Sequence, residues 1–258
     1  LLETRREQER LDRLERVRRQ AELNHERALT REVQSRDQLF SRAISLETLS
    51  HLPERITVLF VLADPNDQHR RDLGNEVRDV TQRIERATHR DSVSLEQVTA
   101  AQPRDLLPAL NKFEPRILHF SGHGSGTDGL VFRDHDGSTK IVSADALAAT
   151  IATVADSVRL VVLNACESQA HAELLVEHID AAIGMSDSIG DLAAGVFSAA
   201  LYGAIADGRS LARSFDQACA ALQLEGIGDF DIPHLFARDG LDLDQMVLVR
   251  PPEVEGAG

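Results

Sequence analysis

The sequence predicts an α/β fold with a mainly parallel sheet, preceded by an α-helical N-terminal segment. Apolar runs of strand length, such as ITVLFVLA at 56–63 and RLVVLN at 159–164, alternate with segments in which apolar residues have helical spacing. Strands that alternate with helices favour a parallel sheet covered by helices on both faces. Residues 1–50 contain no Gly or Pro and place apolar residues three and four positions apart, which predicts one or two amphipathic helices.

The elements follow one another in a regular order along the chain. Apolar runs predict strands at 56–63, 92–98, 116–121, 159–164 and 181–185. Helices are predicted at 70–87, 103–110, 143–155, directly after Cys166, at 192–206 and at 210–224. Pro103 favours the start of the second helix and Ser143 caps the third. A small hairpin is expected from 129–132 to 140–142, with Asp136 and Gly137 in its turn. The chain therefore divides into a helical segment 1–50, an α/β domain 51–245 and a C-terminal tail 246–258.

The charge of the chain excludes several classes of partner. The formal net charge is −14, and the acidic excess lies beyond residue 50, because residues 1–50 carry nearly balanced charges. Such a surface repels the phosphates of nucleic acids and the head groups of anionic membranes. No apolar run is long enough to span a bilayer. We therefore expect no direct binding to nucleic acid and no membrane segment.

Cysteine usage indicates a reducing compartment. Cys166 and Cys219 are the two cysteines of the chain, too few for a disulfide framework, and neither lies in a zinc-binding spacing. We therefore expect a cytoplasmic protein without a metal or other cofactor. No signal peptide opens the sequence, and a chain that begins at Leu1 rather than Met is expected to be a piece of a longer protein.

Two predicted strand ends carry reactive side chains. His123 follows the third strand within Ser-Gly-His-Gly, and Cys166 follows the fourth within Asn-Ala-Cys. Functional groups in parallel sheets gather beyond the carboxyl ends of the strands, so these residues face each other if the two strands are neighbours. An imidazole beside a thiol takes its proton and later returns it to a leaving amine. The backbone amides of Gly124 and Cys166 are the expected donors to the developing oxyanion.

The motifs HFSGHGS at 119–125 and LNACES at 163–168 resemble the CHAT branch of the caspase-like peptidases, whose relatives include caspases, metacaspases, gingipains and separase. The resemblance extends from about residue 56 to about residue 240. It implies a caspase-like α/β/α sandwich and endopeptidase activity on protein or peptide substrates. It also implies that His123 is the general base, Cys166 the nucleophile, and Gly124 with Cys166 the oxyanion donors.

The resemblance also implies a context and a substrate pocket. CHAT domains often act as regulated effectors in bacterial signalling or defence proteins, so residues 1–50 are expected to bind a regulatory domain or partner protein. Metacaspase-like enzymes place an Asp two residues before the cysteine to bind a basic residue, where this chain has Asn164. By strand alternation Asn164 shares a face with Cys166, and we expect it to line the pocket. Asp187, in the loop after the fifth strand, is the second expected pocket residue.

Two other functions remain open from the sequence. The first is a catalytically silent scaffold of the same fold that acts through its helical arm. The second is a nucleotide-binding domain that uses the Gly122–Gly126 loop, although this loop lacks Lys and the P-loop spacing. Of the remaining candidates, His119 is expected to be a hydrogen-bonded neighbour, His171 and His178 to lie on a solvent-facing helix, and Cys219 to lie in the core.

Overall fold

The computed structural model of the chain describes residues 55–68 and 73–249. The predicted helical segment 1–50, and with it the expected partner contact, lies outside these residues. Of the helices within them, none combines the length and the apolar composition that a membrane crossing requires.

A six-stranded sheet forms the centre of the domain. Its strands are β1 (Ile56–Leu62), β2 (Val93–Val98), β3 (Ile117–Ser121), β7 (Leu160–Asn164), β8 (Ala181–Met185) and β9 (Pro233–Ala237). They lie side by side in the order β2-β1-β3-β7-β8-β9. All neighbours are parallel except β9, which pairs antiparallel with β8. The five strands predicted from apolar runs are confirmed. The sequence prediction missed β9, because this edge strand is only partly buried and begins with a proline.

Six helices flank the sheet within the described residues. They are α1 (Leu73–Glu85), α2 (Pro103–Phe113), α3 (Ala144–Ala152), α4 (Gln169–Leu175), α5 (Asp191–Ala206) and α6 (Leu211–Leu224). Side-chain caps explain where several of them begin: the hydroxyl of Ser143 accepts a hydrogen bond from the amide of Ala146, and Ser210 caps α6 in the same way. Gln102 and Asp105 form a capping box at the start of α2, directly before Pro103.

The helices divide into two layers, one on each face of the sheet. Alternate residues of β1 show the division: Val58 and Phe60 pack in a core with α1, α5 and α6. Leu59 and Val61 pack on the opposite face with α2, α3 and α4. A strand with apolar residues on both faces is typical of a sheet buried between two helical layers. The predicted α/β/α sandwich is therefore confirmed.

A second, three-stranded antiparallel sheet lies beyond the carboxyl end of β3. It consists of β4 (His123–Gly124), β5 (Leu130–Arg133) and β6 (Thr139–Val142). The predicted hairpin between β5 and β6 is confirmed, and Gly137 takes a positive φ of 90° in its turn. The two-residue strand β4 was not predicted, because two residues carry no recognisable periodicity.

The core extends past the predicted domain boundary at residue 245. Met246, Leu248 and Val249 are 7%, 2% and 0% exposed and pack with the α1, α5 and α6 layer. The carbonyl of Met246 accepts a hydrogen bond of 2.8 Å from the amide of Leu211. Residues 246–249 thus belong to the domain rather than to the tail, because their apolar side chains are buried in its core.

Candidate active site

The two strands that directly precede the reactive residues, β3 and β7, are neighbours in the central sheet. The register of β3 and β7 pairs Ser121 with Asn164. His123 and Cys166 each lie two residues beyond this pair, so the chain brings both to the same edge of the sheet. The amide of Gly122 donates to the carbonyl of Asn164 over 3.4 Å, which continues the contact between the strands past their last paired residues. The two strands are therefore adjacent, which is the arrangement that the sequence analysis required for His123 and Cys166 to face each other.

Gly124 packs directly against the backbone of Cys166. A Cβ atom at position 124 would collide with the carbonyl oxygen of Cys166 and would lie 3.1 Å from its amide nitrogen. The antiparallel pairing of β4 with β5, which aligns His123 with Val131 and Gly124 with Leu130, holds this segment in place. Glycine at 124 is therefore required for close approach of the histidine-bearing and cysteine-bearing segments.

The turn that presents Cys166 is strained and firmly held. Glu167, directly after it, has a positive φ of 54°, a conformation that costs a residue with a side chain about 1 kcal/mol. Ser168 is 1% exposed; its hydroxyl donates to the carbonyl of Leu163 over 2.8 Å and accepts from the amide of Met185 over 3.0 Å. Ser168 thus ties the cysteine turn to β7 and β8. No sequence signal marked this role, since an isolated serine has many functions.

Asp187 lies in the loop beside the cysteine turn. Its carbonyl accepts a hydrogen bond of 3.4 Å from the amide of Glu167. Its side chain is exposed and accepts from the amide of Ser188 over 2.6 Å. The loop after β8 therefore touches the residue that follows Cys166, and the Asp187 carboxylate is accessible to a ligand at this edge of the sheet.

Asn164 does not lie on an accessible surface. Its side chain is 0% exposed, and its amide Nδ2 donates to Glu76 Oε1 over 2.6 Å. A second contact joins the same nitrogen to Ser198 Oγ over 3.3 Å. This placement corrects the expectation that Asn164 lines the substrate pocket. The reason is that this face of β7 is covered by α1 and α5, where the buried carboxylate of Glu76 needs hydrogen-bond donors.

A buried polar network surrounds that carboxylate. Glu76 is 6% exposed, and its two oxygens also accept from His119 Nε2 over 3.1 Å, Ser121 Oγ over 2.5 Å and Ser198 Oγ over 2.8 Å. Burial by itself raises the pKa of Glu76, but the facing His119 and the hydrogen bonds from its neighbours outweigh burial and lower the pKa to about 2. Glu76 is therefore an anion at neutral pH. No sequence motif marked this residue, because its partners come from separate elements far apart in the chain.

His119 belongs to this network, as expected from the sequence. Its side chain is 0% exposed, and Nδ1 lies 3.0 Å from the hydroxyl of Tyr202. Burial, followed by the charge of Glu76, raises the pKa of Tyr202 well above its usual value, so the phenol keeps its proton. Both ring nitrogens of His119 therefore have hydrogen-bond partners, the Tyr202 hydroxyl at Nδ1 and the Glu76 carboxylate at Nε2.

The Gly122–Gly126 loop is poorly suited to a nucleotide phosphate. A Cβ atom at Gly126 would lie 2.6 Å from Oε2 of Glu167, so a carboxylate occupies the space against the loop. A negative charge at this point repels phosphate. The nucleotide-binding alternative is therefore disfavoured. Among the described residues, no group of three or more His, Cys, Asp or Glu side chains is arranged to hold a metal ion.

His171 is buried, which corrects its expected place on a solvent-facing helix. It is 2% exposed on α4, and neither ring nitrogen has a hydrogen-bond partner among the described residues. Burial lowers the pKa of His171 below its usual value. The helix was predicted correctly, but its short length left the buried face ambiguous. His178 lies beyond the end of α4 and is exposed, as expected.

We expect the free energy of unfolding to fall as the pH is lowered below about 6.5, because the unfolded chain protonates His171 there while the folded chain resists it. The slope reaches about 1.4 kcal/mol per pH unit at most. His171→Phe should flatten this dependence between about pH 5 and 6.5 in urea unfolding, relative to the parent. The exposed His135, whose pKa is raised by Asp134, contributes equally to the pH dependence of both proteins, so its contribution cancels when they are compared. An unchanged slope in His171→Phe, with His178→Gln as control, would refute the prediction.

Two curated proteins share part of this sequence. A "Probable protease" from Gillisia limnaea is 29% identical over 150 residues, which cover 56% of this chain and 26% of that protein. A "Roc-COR-CHAT protease" from an unknown prokaryotic organism is 25% identical over 185 residues, 69% of this chain and 17% of that protein. The chain thus matches about a quarter or less of the length of these curated relatives.

A solved structure and a family profile complete the comparison. Ureidoglycine-glyoxylate aminotransferase from Bacillus subtilis aligns with a TM-score of 0.31 and 18% identity over 57% of this chain and 33% of that chain, a likeness too small to carry an argument. The profile of the CHAT domain matches residues 11–225, which include the whole of both strand-end motifs. With most of its length matched, the chain belongs to the CHAT domain family.

Proposed function

We propose that this chain is a caspase-like cysteine endopeptidase in which His123 and Cys166 form a catalytic dyad. The close packing of Gly124 on the backbone of Cys166 is the observation that carries the proposal, because it requires the two segments to meet. Family membership and the protease names of the two relatives support the same activity. Both dyad residues are partly exposed, as attack on a peptide requires.

The proposed reaction has two stages. His123 removes the proton of the Cys166 thiol, and the thiolate attacks the carbonyl carbon of the scissile peptide bond. The amides of Gly124 and Cys166 donate to the oxyanion that forms. The intermediate collapses as His123 protonates the leaving amine, which leaves a thioester on Cys166. A water molecule, deprotonated by His123, then hydrolyses the thioester, and the thiol recovers its proton.

Asp187 is the proposed contact for the substrate residue before the cut. Its carboxylate is exposed, and its backbone touches Glu167, one residue from the nucleophile. The side chain of Asn164, two residues before the cysteine, is hydrogen-bonded to Glu76 and does not contact the substrate in this proposal. Asp187 therefore supplies the negative charge of the pocket. A basic substrate residue is the match for this carboxylate.

The proposal is tested by coupling peptide cleavage to modification of one cysteine. Burial, followed by the charge of Asp216, raises the pKa of Cys219 to about 11, so little thiolate is present there at neutral pH. We therefore expect iodoacetamide at about pH 7.5 to alkylate Cys166 well before Cys219, whose thiol stays protonated at this pH. Cleavage of a peptide library by the parent chain should fall in proportion to the modified fraction of Cys166, measured by mass spectrometry.

Three results of this experiment have different meanings. Loss of cleavage in proportion to the modified fraction of Cys166 supports the thiol mechanism. A basic residue before the cut in the cleaved peptides would support the proposed contact with Asp187. Cleavage that survives full modification of Cys166 would refute the mechanism. Absence of cleavage by a folded parent chain would favour the silent scaffold instead.

We further propose that this module works within a larger regulated protein. The segments that match cover 26% and 17% of the two protease-named relatives, and the name of one includes Roc and COR. Action as an effector in bacterial signalling or defence, with residues 1–50 as the link to a regulator, stays a prediction.

A further inference from the structure

A single buried carboxylate contacts both strands of the candidate dyad. Ser121 and Asn164 are register partners, the last paired residues of β3 and β7. Ser121 Oγ donates to Glu76 Oε2 over 2.5 Å, and Asn164 Nδ2 donates to Glu76 Oε1 over 2.6 Å. One side chain thus contacts both strands at the level of the sheet directly before the reactive residues: Oε2 accepts from β3, and Oε1 accepts from β7 and also from His119 of β3.

We propose that Glu76 is a positioning residue: its carboxylate clamps Ser121 and Asn164, and thereby fixes the separation of His123 and Cys166. We call Glu76, Ser121 and Asn164 the carboxylate clamp. Each strand ends at its clamp residue, and the chain runs only two residues further to its member of the dyad. This inference rests on the proposed function, because positioning has meaning only if the dyad acts.

The location of the charge argues against a role in core packing alone. An ionised carboxylate is costly to bury, and an apolar residue at this point of α1 would remove that cost. Within the described part of the chain, the side-chain hydrogen bonds of Glu76 go to β3, β7 and α5 and to no other strand. The remaining contacts, from His119 and Ser198, fix the carboxylate itself. The buried charge therefore lies at the point where it joins the two strands of the dyad.

The clamp requires an acceptor at position 76 and a donor at position 164. A glutamine at 76 would replace one acceptor oxygen by a donor, which then faces Ser121, Asn164 or His119. An aspartate at 164 would bring a second carboxylate to hydrogen-bond distance of the first, and the two like charges cannot both remain ionised there. The amide of Asn164 is thus explained by its partner.

The test is an exchange of the two groups in the full 258-residue chain, using Glu76→Gln, Asn164→Asp and the double variant. Each single change should lower kcat for the best library peptide about 10- to 100-fold with KM within about twofold, since small displacements of reacting groups are costly. Asn164→Asp should also lower the unfolding midpoint by about 10 °C. In the double variant the new amide at position 76 donates to the new carboxylate at position 164. Both kcat and the midpoint should therefore recover at least half of the Asn164→Asp loss.

The matched control is Ser214→Ala, which removes a fully buried hydroxyl of α6 that donates to the carbonyl of Ser210 and not to the clamp. It should lower the midpoint slightly and leave kcat unchanged. Equal kcat losses in Ser214→Ala and Glu76→Gln, or a double variant no better than Asn164→Asp, would overturn the clamp.

Failure of the proposed function has a separate signature. If the folded parent cleaves no peptide, the peptidase proposal fails. The clamp is then tested by amide hydrogen exchange of residues 117–124 and 160–167. The backbone amides of these residues should lose protection from exchange in the single variants and regain it in the double variant. Unchanged protection in all variants would overturn the clamp independently of catalysis.

Discussion

Replacement of Cys166 by Ala is expected to lower peptide cleavage by at least about 10⁴-fold, because the nucleophile is lost although the proposed oxyanion donors remain. No other described side chain at this edge of the sheet offers a thiol, because Cys219 lies on α6 and packs against the core. Replacement of His123 by Ala should lower kcat about 10²- to 10⁴-fold, since the thiol then loses its base and the leaving amine its acid.

The two substitutions should not be additive, because both remove the same chemical step. The double variant is expected to cleave no more slowly than Cys166→Ala, and His123→Ala should also slow the alkylation of Cys166 at neutral pH. Measurements of kcat and of alkylation rate by mass spectrometry check both statements. Cys219→Ala and His178→Ala are the matched controls, and both should retain activity within about twofold. Cleavage by His123→Ala at the parent rate would contradict the assignment of the base.

Gly124→Ala is expected to lower kcat about 100-fold or more although it adds only one carbon atom. The new Cβ would collide with the carbonyl oxygen of Cys166 and lie 2.9 Å from its carbonyl carbon, so one of the two backbone segments must move. Neither segment moves easily, because β4 is paired with β5 and Ser168 holds the cysteine turn. A displacement of about 1 Å between reacting groups costs about 10²-fold in rate.

Activity and unfolding midpoint measured together separate displacement from unfolding in Gly124→Ala. Gly74→Ala is the control, because Gly74 lies exposed on α1 with nothing within 4 Å of an added Cβ and alanine favours the helix. We expect Gly74→Ala to keep full activity and a midpoint equal to or above that of the parent. A folded Gly124→Ala variant with kcat within about threefold of the parent would show that the two segments do not need this contact.

The strands and helices of the sandwich were predictable because each buries a periodic or continuous apolar surface. RLVVLN and ITVLFVLA are buried on both sides, and such continuous runs leave little choice of structure. The elements that the prediction missed lack this property. Strand β4 has two residues, β9 is a partly exposed edge, and residues 246–249 were assigned to the tail because four residues are too few to show a pattern.

The sequence by itself determined the fold class and the two residue positions that carry the proposed chemistry. His123 and Cys166 follow predicted strands directly, and local patterns locate strand ends well. Only the tertiary structure decided that β3 and β7 are neighbours, that Gly124 lies on Cys166, and that Asn164 faces a buried carboxylate rather than a pocket. These facts depend on contacts between residues far apart in the chain, such as Glu76 with Asn164, and no local periodicity contains them. The burial of His171 has the same cause, since the layer that covers α4 is assembled from distant segments.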